Sequence, residues 1–319
     1  MRASLQRLGA LSSIGILLAA CSAGATATPT PAPTGTPAAT GTPAASATVA
    51  ASPSPTTSAC AASNLQTLTA GKLTIGTDNP AYPPWFGGTP PDGGLWQVSD
   101  PTSGDGYESA VAYAIANQLG FPATNVVWVV AAFNDVIQPG PKKFDFDINE
   151  VSYSADRANA VDLSDGYFDN SQAVVAVKDS PITTAKSVSD LKAYKLGAQV
   201  GTTSYSYITD NIQPTQAPSV YNDSNGPIAA LKAKQIQGIV VDLGTAFIIT
   251  SDGEVPNGVI VGSLPSVGTP EHFSVVLNKG SALTTCVNQA IDALQADGTL
   301  ANLRAQWIAT EGDAPVLTP

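Results

Sequence analysis

Arg157 is the side chain of this sequence best sited to hold an anion. It follows two serines, Ser152 and Ser154, where a short strand-like run (Phe144 to Ile148) gives way to a polar turn. An arginine where a strand end meets a helix start can pair bidentately with a carboxylate. Other polar and aromatic residues stand at similar junctions or in loops. Asp78 ends the β-rich run Lys72–Thr77, and Asp242 ends the apolar run Ile236–Asp242. Thr202 and Thr203 follow Gly201 at a helix start, Glu150 lies two residues before Ser152, and Tyr82 and Trp85 stand in a proline-rich loop. Each also has a plain structural reading. Arg157 could face solvent beside Asp156, Asp242 and the threonines could be helix caps, and the aromatics could be loop packing.

Composition narrows the chemistry. The chain has 319 residues, with 14 Lys and Arg against 25 Asp and Glu, one His, and a net charge of −11. So acidic a chain lacks the basic stripe that nucleic acid requires. No P-loop, nucleophile elbow, CxxC pair or His-rich tract is present, so neither a catalytic nor a metal site is indicated.

Residues 1–21 read as a lipoprotein signal peptide. Arg2 and Arg7 precede an apolar stretch, Leu8 to Ala20, too short and too interrupted to span a bilayer. The stretch ends Leu18-Ala19-Ala20-Cys21, which resembles the lipobox of bacterial lipoproteins, so Cys21 is the expected lipidation site. Loss of this leader leaves a net charge of about −13. Residues 22–59 are almost wholly Ala, Thr, Pro, Ser and Gly, and such a segment is expected to be a disordered tether. The remaining cysteines, Cys60 and Cys286, form an even pair in an exported chain and are expected to be a disulfide.

Strand and helix signals alternate through the rest, which argues an α/β fold with mainly parallel sheets. Helices are expected over Tyr107–Leu119 and in the last stretch, where Leu283, Cys286, Val287, Ala290, Ile291 and Leu294 share one face. Two extended apolar runs, 172–177 and 273–277, bracket about one hundred residues. They suggest one lobe inserted into another: 60–173 plus 274–319 as lobe 1, and 174–273 as lobe 2. Two crossing strands would form a hinge, with the site in the cleft between lobes.

With these pieces in order, residues 70–310 resemble the bacterial extracellular solute-binding proteins of the polar amino acid class, family 3, which serve ABC importers. The similarity rests on KLTIGTDNPAYPPW, GYESAVAYAIANQLGF, FDFDINEVSYSADRANAVDLSDGYF, LKAYKLGAQVGTTS, AALKAKQIQGIVVDLGTA and LQADGTLANLRAQW, in that sequence. The resemblance implies a two-lobed periplasmic-binding-protein-like (type II) fold. It implies a free amino acid as ligand, no cofactor, and ABC transporter permease subunits as partners. It also implies a monomer outside the cytoplasm, tethered to the membrane by its lipid. Arg157 would pair with the ligand α-carboxylate, helped by Ser152, Thr203 and Thr202. Asp242 would accept from the α-ammonium, while Tyr82 and Trp85 would wall the side chain and Asp78 would join the ligand-binding set.

The chain departs from the family pattern at three places. Asn149 and Glu150 replace small or uncharged residues; Glu150, if it faces the cleft, could meet a cationic side chain or a ligand amide, or pair with a lysine such as Lys178. Residues 87–105 form an insertion whose Trp96 could cover the pocket or pack on the lobe. Tyr153 replaces an aliphatic residue. Two other readings stay open: an enzyme on the same fold, of the cyclohexadienyl or arogenate dehydratase kind with Glu150 as general acid, and a ligand-sensing module.

Overall fold

The computed structural model describes residues 59–308 and 314–319. The signal segment, Cys21 and all of the tether but residue 59 lie outside the described residues. The first elements are β1 (Leu73–Thr77), α1 (Tyr107–Gln118), β2 (Val126–Val130), α2 (Phe133–Val136), β3 (Phe146–Asp147), α3 (Ala155–Ala160), β4 (Asp162–Leu163) and β5 (Phe168–Asp169). Then come β6 (Gln172–Val177), β7 (Leu196–Gln199), α4 (Thr203–Tyr207), β8 (Ser219–Tyr221), α5 (Asn225–Lys232), β9 (Gly238–Asp242), α6 (Leu243–Ser251) and β10 (Gly258–Ser263). The chain ends with β11 (His272–Phe273), β12 (Val276–Leu277), α7 (Thr284–Ala296) and α8 (Thr299–Trp307).

These strands form two five-stranded sheets, one in each lobe. The first runs β2-β1-β3-β12-β4 and the second β10-β6-β9-β7-β8. Both are mixed rather than mainly parallel. In the first, β12 is antiparallel to β3 and β4. In the second, β6 is antiparallel to both β9 and β10. The difference arises because β6 and β12 follow crossings between the lobes, so no helical crossover turns them parallel to their neighbours.

Both sheets are covered on two faces, which is why their central strands read as unbroken apolar runs. In β6, Val174 and Ala176 enter one core with Leu196, Tyr207 and Val240, while Ala173 and Val175 enter another with Ile228, Leu231 and Ile249. In the first lobe the larger core lies under α1, α7 and α8. All six residues expected on one face of the last helical stretch are buried there. The disulfide Cys60–Cys286 staples the segment before β1 to α7, with its Cα atoms 5.3 Å apart.

The crossing point differs from the runs expected. The antiparallel pair is β5–β11, with His272 opposite Asp169 and Phe273 opposite Phe168. The run 172–177 belongs wholly to the second sheet, and 273–277 breaks into β11 and β12. The C-terminal residues, assigned from sequence to the first lobe, also diverge from expectation. Val316 and Thr318 form bridges to Ser263 and Ser187, and Leu317 is buried in a core of the second lobe.

The insertion 87–105 packs on the first lobe. Trp96 is buried in the large core and is not among the cavity residues. The loop is clasped to the residues after β1: Asn79 Nδ2 donates to Leu95 O at 2.9 Å and Asn79 Oδ1 accepts from Gln97 N at 3.2 Å. Gly106 opens α1 with φ +91°, and a Cβ there would meet Phe86 Cα at 2.5 Å. Only glycine lets the 82–87 loop lie so close to the helix start.

Candidate functional site

A cavity of about 300 Å³ lies between the two sheets. Its first-lobe wall comes from the loop after β1 (Asp78, Tyr82, Trp85), from Phe133, and from the turn after β3 (Glu150, Ser152, Arg157). Its second-lobe wall comes from Thr202 and Thr203 after β7, from Asn225 on α5, and from Asp242 and Thr245 where β9 enters α6. All nine residues singled out from sequence as ligand-binding therefore line one cavity. Parallel strands put their C-terminal ends on one edge, which is where α/β sheets place ligands.

Arg157 is held rigidly. Ser154 caps α3 by accepting from Arg157 N at 3.2 Å. The guanidinium donates from Nη1 to Ser152 O at 2.5 Å and from Nη2 to Gly201 O at 2.7 Å, so it spans from one lobe to the other. It also lies over the Phe133 ring, 5.5 Å from the centroid. Among the described residues, the ion pair found within 4 Å is Lys279 with Asp162, so no carboxylate is paired directly with Arg157. Burial lowers its pKa below the usual arginine value, offset by the fields of Asp242 and Glu271. A buried cation of this kind is costly until an anion joins it.

Asp242 supplies the opposite charge. Its Oδ1 accepts from Asn170 Nδ2 and, at 2.7 Å, from Gln172 Nε2. Burial, and then the neighbouring Glu271, push its pKa up to about 7. The expected helix-cap alternative does not apply, because the Asp242 side chain makes no capping bond to α6.

The threonines divide their roles. Thr202 is a cap: its Oγ1 accepts from Tyr205 N at 3.1 Å and donates to Gln199 O at 2.8 Å. Thr203 Oγ1 donates to Glu271 Oε1 at 2.5 Å, and Gln172 Nε2 donates to both Glu271 oxygens at 3.0 Å. Ser152 is buried beneath Arg157 and pairs with Phe273 across an isolated bridge. Tyr82 OH accepts from Asn225 Nδ2 at 3.0 Å, another bond between the lobes. Trp85 lines the cavity with one edge and packs against Tyr107, Phe168 and Phe273 with the rest. Asp78 accepts from Asn79 N at 2.8 Å, and burial raises its pKa.

Several residues of this network were not singled out from sequence: Glu271, Asn170, Gln172, Thr245 and the buried Glu108. Asn170, Gln172 and Glu271 sit on or beside the crossing strands, and no local pattern marks them. The nearest signal was the polar interruption Asp169-Asn170-Ser171 just before the apolar run of β6. Glu108 is fully buried in the first turn of α1, where its Oε1 accepts from Glu150 N at 2.7 Å and from Tyr167 OH. Burial is the main cause that raises its pKa to about 7. Among the described residues, no group of His, Cys, Asp and Glu could hold a metal ion.

Two α/β lobes, joined by crossing strands with a charged cavity between them, define a two-lobed binding protein. The chain belongs to the bacterial extracellular solute-binding proteins, family 3, whose family model matches residues 73–310. It is 27% identical over 209 residues to ABC transporter arginine-binding protein 1 of Escherichia coli (strain K12), covering 63% of this chain and 81% of the relative. It is 29% identical over 251 residues to the L-cystine-binding protein TcyJ of the same organism, covering 76% and 84%. An ancestral arginine-binding protein bound to arginine matches with a TM-score of 0.59 and 26% identity, over 74% of this chain and 98% of that one.

Proposed function

We propose that this chain is the extracytoplasmic binding component of an ABC importer, and that it captures a free amino acid by both ends of its zwitterion. The observation that carries this reading is the pairing of opposite, buried charges in one cavity. Among the described residues, Arg157 from the first lobe has no carboxylate within ion-pair distance, and Asp242 from the second lobe keeps its other oxygen free of protein donors. The guanidinium takes the α-carboxylate, and Asp242 takes the α-ammonium. Thr203 contributes its backbone N–H rather than its hydroxyl, which Glu271 already engages.

Because the two partners come from different lobes, the ligand favours the closed arrangement, and the importer senses that arrangement. A thermal-shift screen over the common amino acids tests the reading. A ligand at 100 times its Kd adds about 2.7 kcal/mol of stability. If none of the amino acids raises the melting temperature, the proposal falls.

A further inference from the structure

Arg157 and Asp242 account for the two charged ends of any amino acid, yet the cavity holds further charge. The other charged side chains on its wall are Asp78, Glu150, Asp223 and Glu254, all of them acidic. Their situations differ. Asp223 is committed to Gly226 N at 2.9 Å, and Glu254 is exposed at the rim. Asp78 is tied to the backbone of Asn79. Glu150 stands deeper, and only its Oε2 has a donor, Thr245 Oγ1 at 3.1 Å from the opposite lobe. Among the described residues no lysine or arginine lies within 4 Å of it, so Lys178 is not its partner.

The backbone at Glu150 is itself unusual. Its φ of +50° lies in the left-handed region, which side chains other than Gly, Asn and Asp seldom occupy. The conformation is held from below, where Glu150 N donates to the buried carboxylate of Glu108. Backbone strain of this kind clusters at functional sites, which points to a job for the side chain. Opposite it, Val241, Ile248 and Ile249 give the cavity an apolar wall suited to a chain of methylenes.

We propose that Glu150 is the specificity-determining residue of this cavity, and that its free carboxylate oxygen takes a positively charged group at the end of the ligand's aliphatic side chain. This rests on the amino-acid reading above and names its substrate class: an amino acid bearing a terminal guanidinium or ammonium. The electrostatics agree with the geometry. Burial, followed by the fields of Glu108 and Asp242, raises the Glu150 pKa well above the ordinary value, and a cation placed beside it would oppose both causes. The groups facing Glu150 are Glu108 from α1, Asp242 from the end of β9 and Thr245 from α6, and none is cationic.

Titration calorimetry with matched ligands tests this. L-Arginine and L-lysine are compared with L-citrulline and L-norleucine, which keep the stem and lose the charge. The wild-type chain is expected to prefer the charged member of a pair by about tenfold or more. Glu150→Gln, which keeps volume and the hydroxyl contact, should narrow that preference to under about threefold. Glu150→Gly, which relieves the backbone, should do the same, so a folding defect in one variant does not decide the matter.

Tight binding of the uncharged members by the wild type would overturn the inference. So would a preference that survives both substitutions, or turnover of a cyclohexadienyl acid that Glu150→Gln abolishes. If neutral or acidic amino acids bind and Arg157→Ala abolishes that binding, the inference fails while the amino-acid reading stands. If no amino acid of any charge binds, both fail.

Discussion

At the scale of single residues, the central feature is a guanidinium whose own hydrogen bonds fix its plane. With Nη1 on Ser152 O and Nη2 on Gly201 O, Arg157 has little freedom left, and its remaining N–H groups are presented at a set angle. A planar fork matches a carboxylate in two places, whereas an ammonium on a flexible stem does not. Arg157→Lys is therefore not a mild change here. It keeps the charge but leaves one of the two carbonyls without its donor. We expect it to weaken amino-acid binding by about 1.5–3 kcal/mol, the range for losing a hydrogen bond to a charged group, with the melting temperature of the ligand-free protein much less affected. Calorimetry on the two proteins checks this. Equal affinities would mean that the ligand carboxylate is not held through the guanidinium plane.

At the scale of elements, the sequence carried those signals that are local. The face Leu283–Leu294, the end of α1 before Gly120 and the buried run of β6 follow from periodicity and from glycine, and each lies within one residue or so of its expected place. The nine cavity residues were legible mainly through the resemblance to the family, with Asp78 and Asp242 also marked locally because each ends a strand-like run. The mixed direction of both sheets, the two-residue strands β4, β5 and β11, and the docking of Val316–Thr318 on the second sheet depend on partners far away in the chain. So do the polar bonds of Glu271, which join residues 68 and 99 positions apart.

The disulfide is one long-range link that composition did reveal. It closes a separation of 226 residues and ties the segment before β1 to α7, entirely within the first lobe. Its loss should cost about 2–5 kcal/mol, mostly by releasing the unfolded chain. In a chain of this size that lowers Tm by several degrees. Because neither cysteine lines the cavity, amino-acid affinity measured after Cys60→Ser with Cys286→Ser should change far less than Tm. A large loss of affinity at unchanged Tm would contradict this division of labour.

At the scale of the whole molecule, the interior is acidic to a degree that couples folding to pH. Glu108 and Asp242 have their pKa values raised to about 7, first by burial. Glu150 and Asp147 are also raised, well above the ordinary carboxyl value and again first by burial. Glu108 is faced by Tyr167 and by the Glu150 amide, and it feels Asp242. Asp147 feels Glu108 and Asp78, and only Lys142 acts on it in the opposite sense.

In the unfolded chain all four carboxyls would ionise near pH 4. The folded state therefore holds more protons across the interval from about pH 4 to about 7, and stability falls as pH rises through it. The contribution of these groups is fully present below the unfolded pKa values and is lost as pH passes the folded ones. We expect the ligand-free protein to melt at a lower temperature at pH 8 than at pH 5. Glu108→Gln, which can still accept from Tyr167 and Glu150, should flatten part of that slope.

A bound amino acid reverses the balance at Asp242, because its ammonium favours the ionised carboxylate and reduces the proton difference between folded and unfolded chains. The gain in Tm from saturating ligand should then be larger at pH 8 than at pH 5. Scanning calorimetry over that range, with and without ligand, reads both slopes. A melting temperature that rises with pH in the ligand-free protein would show that the buried carboxyls are ionised in the empty cavity.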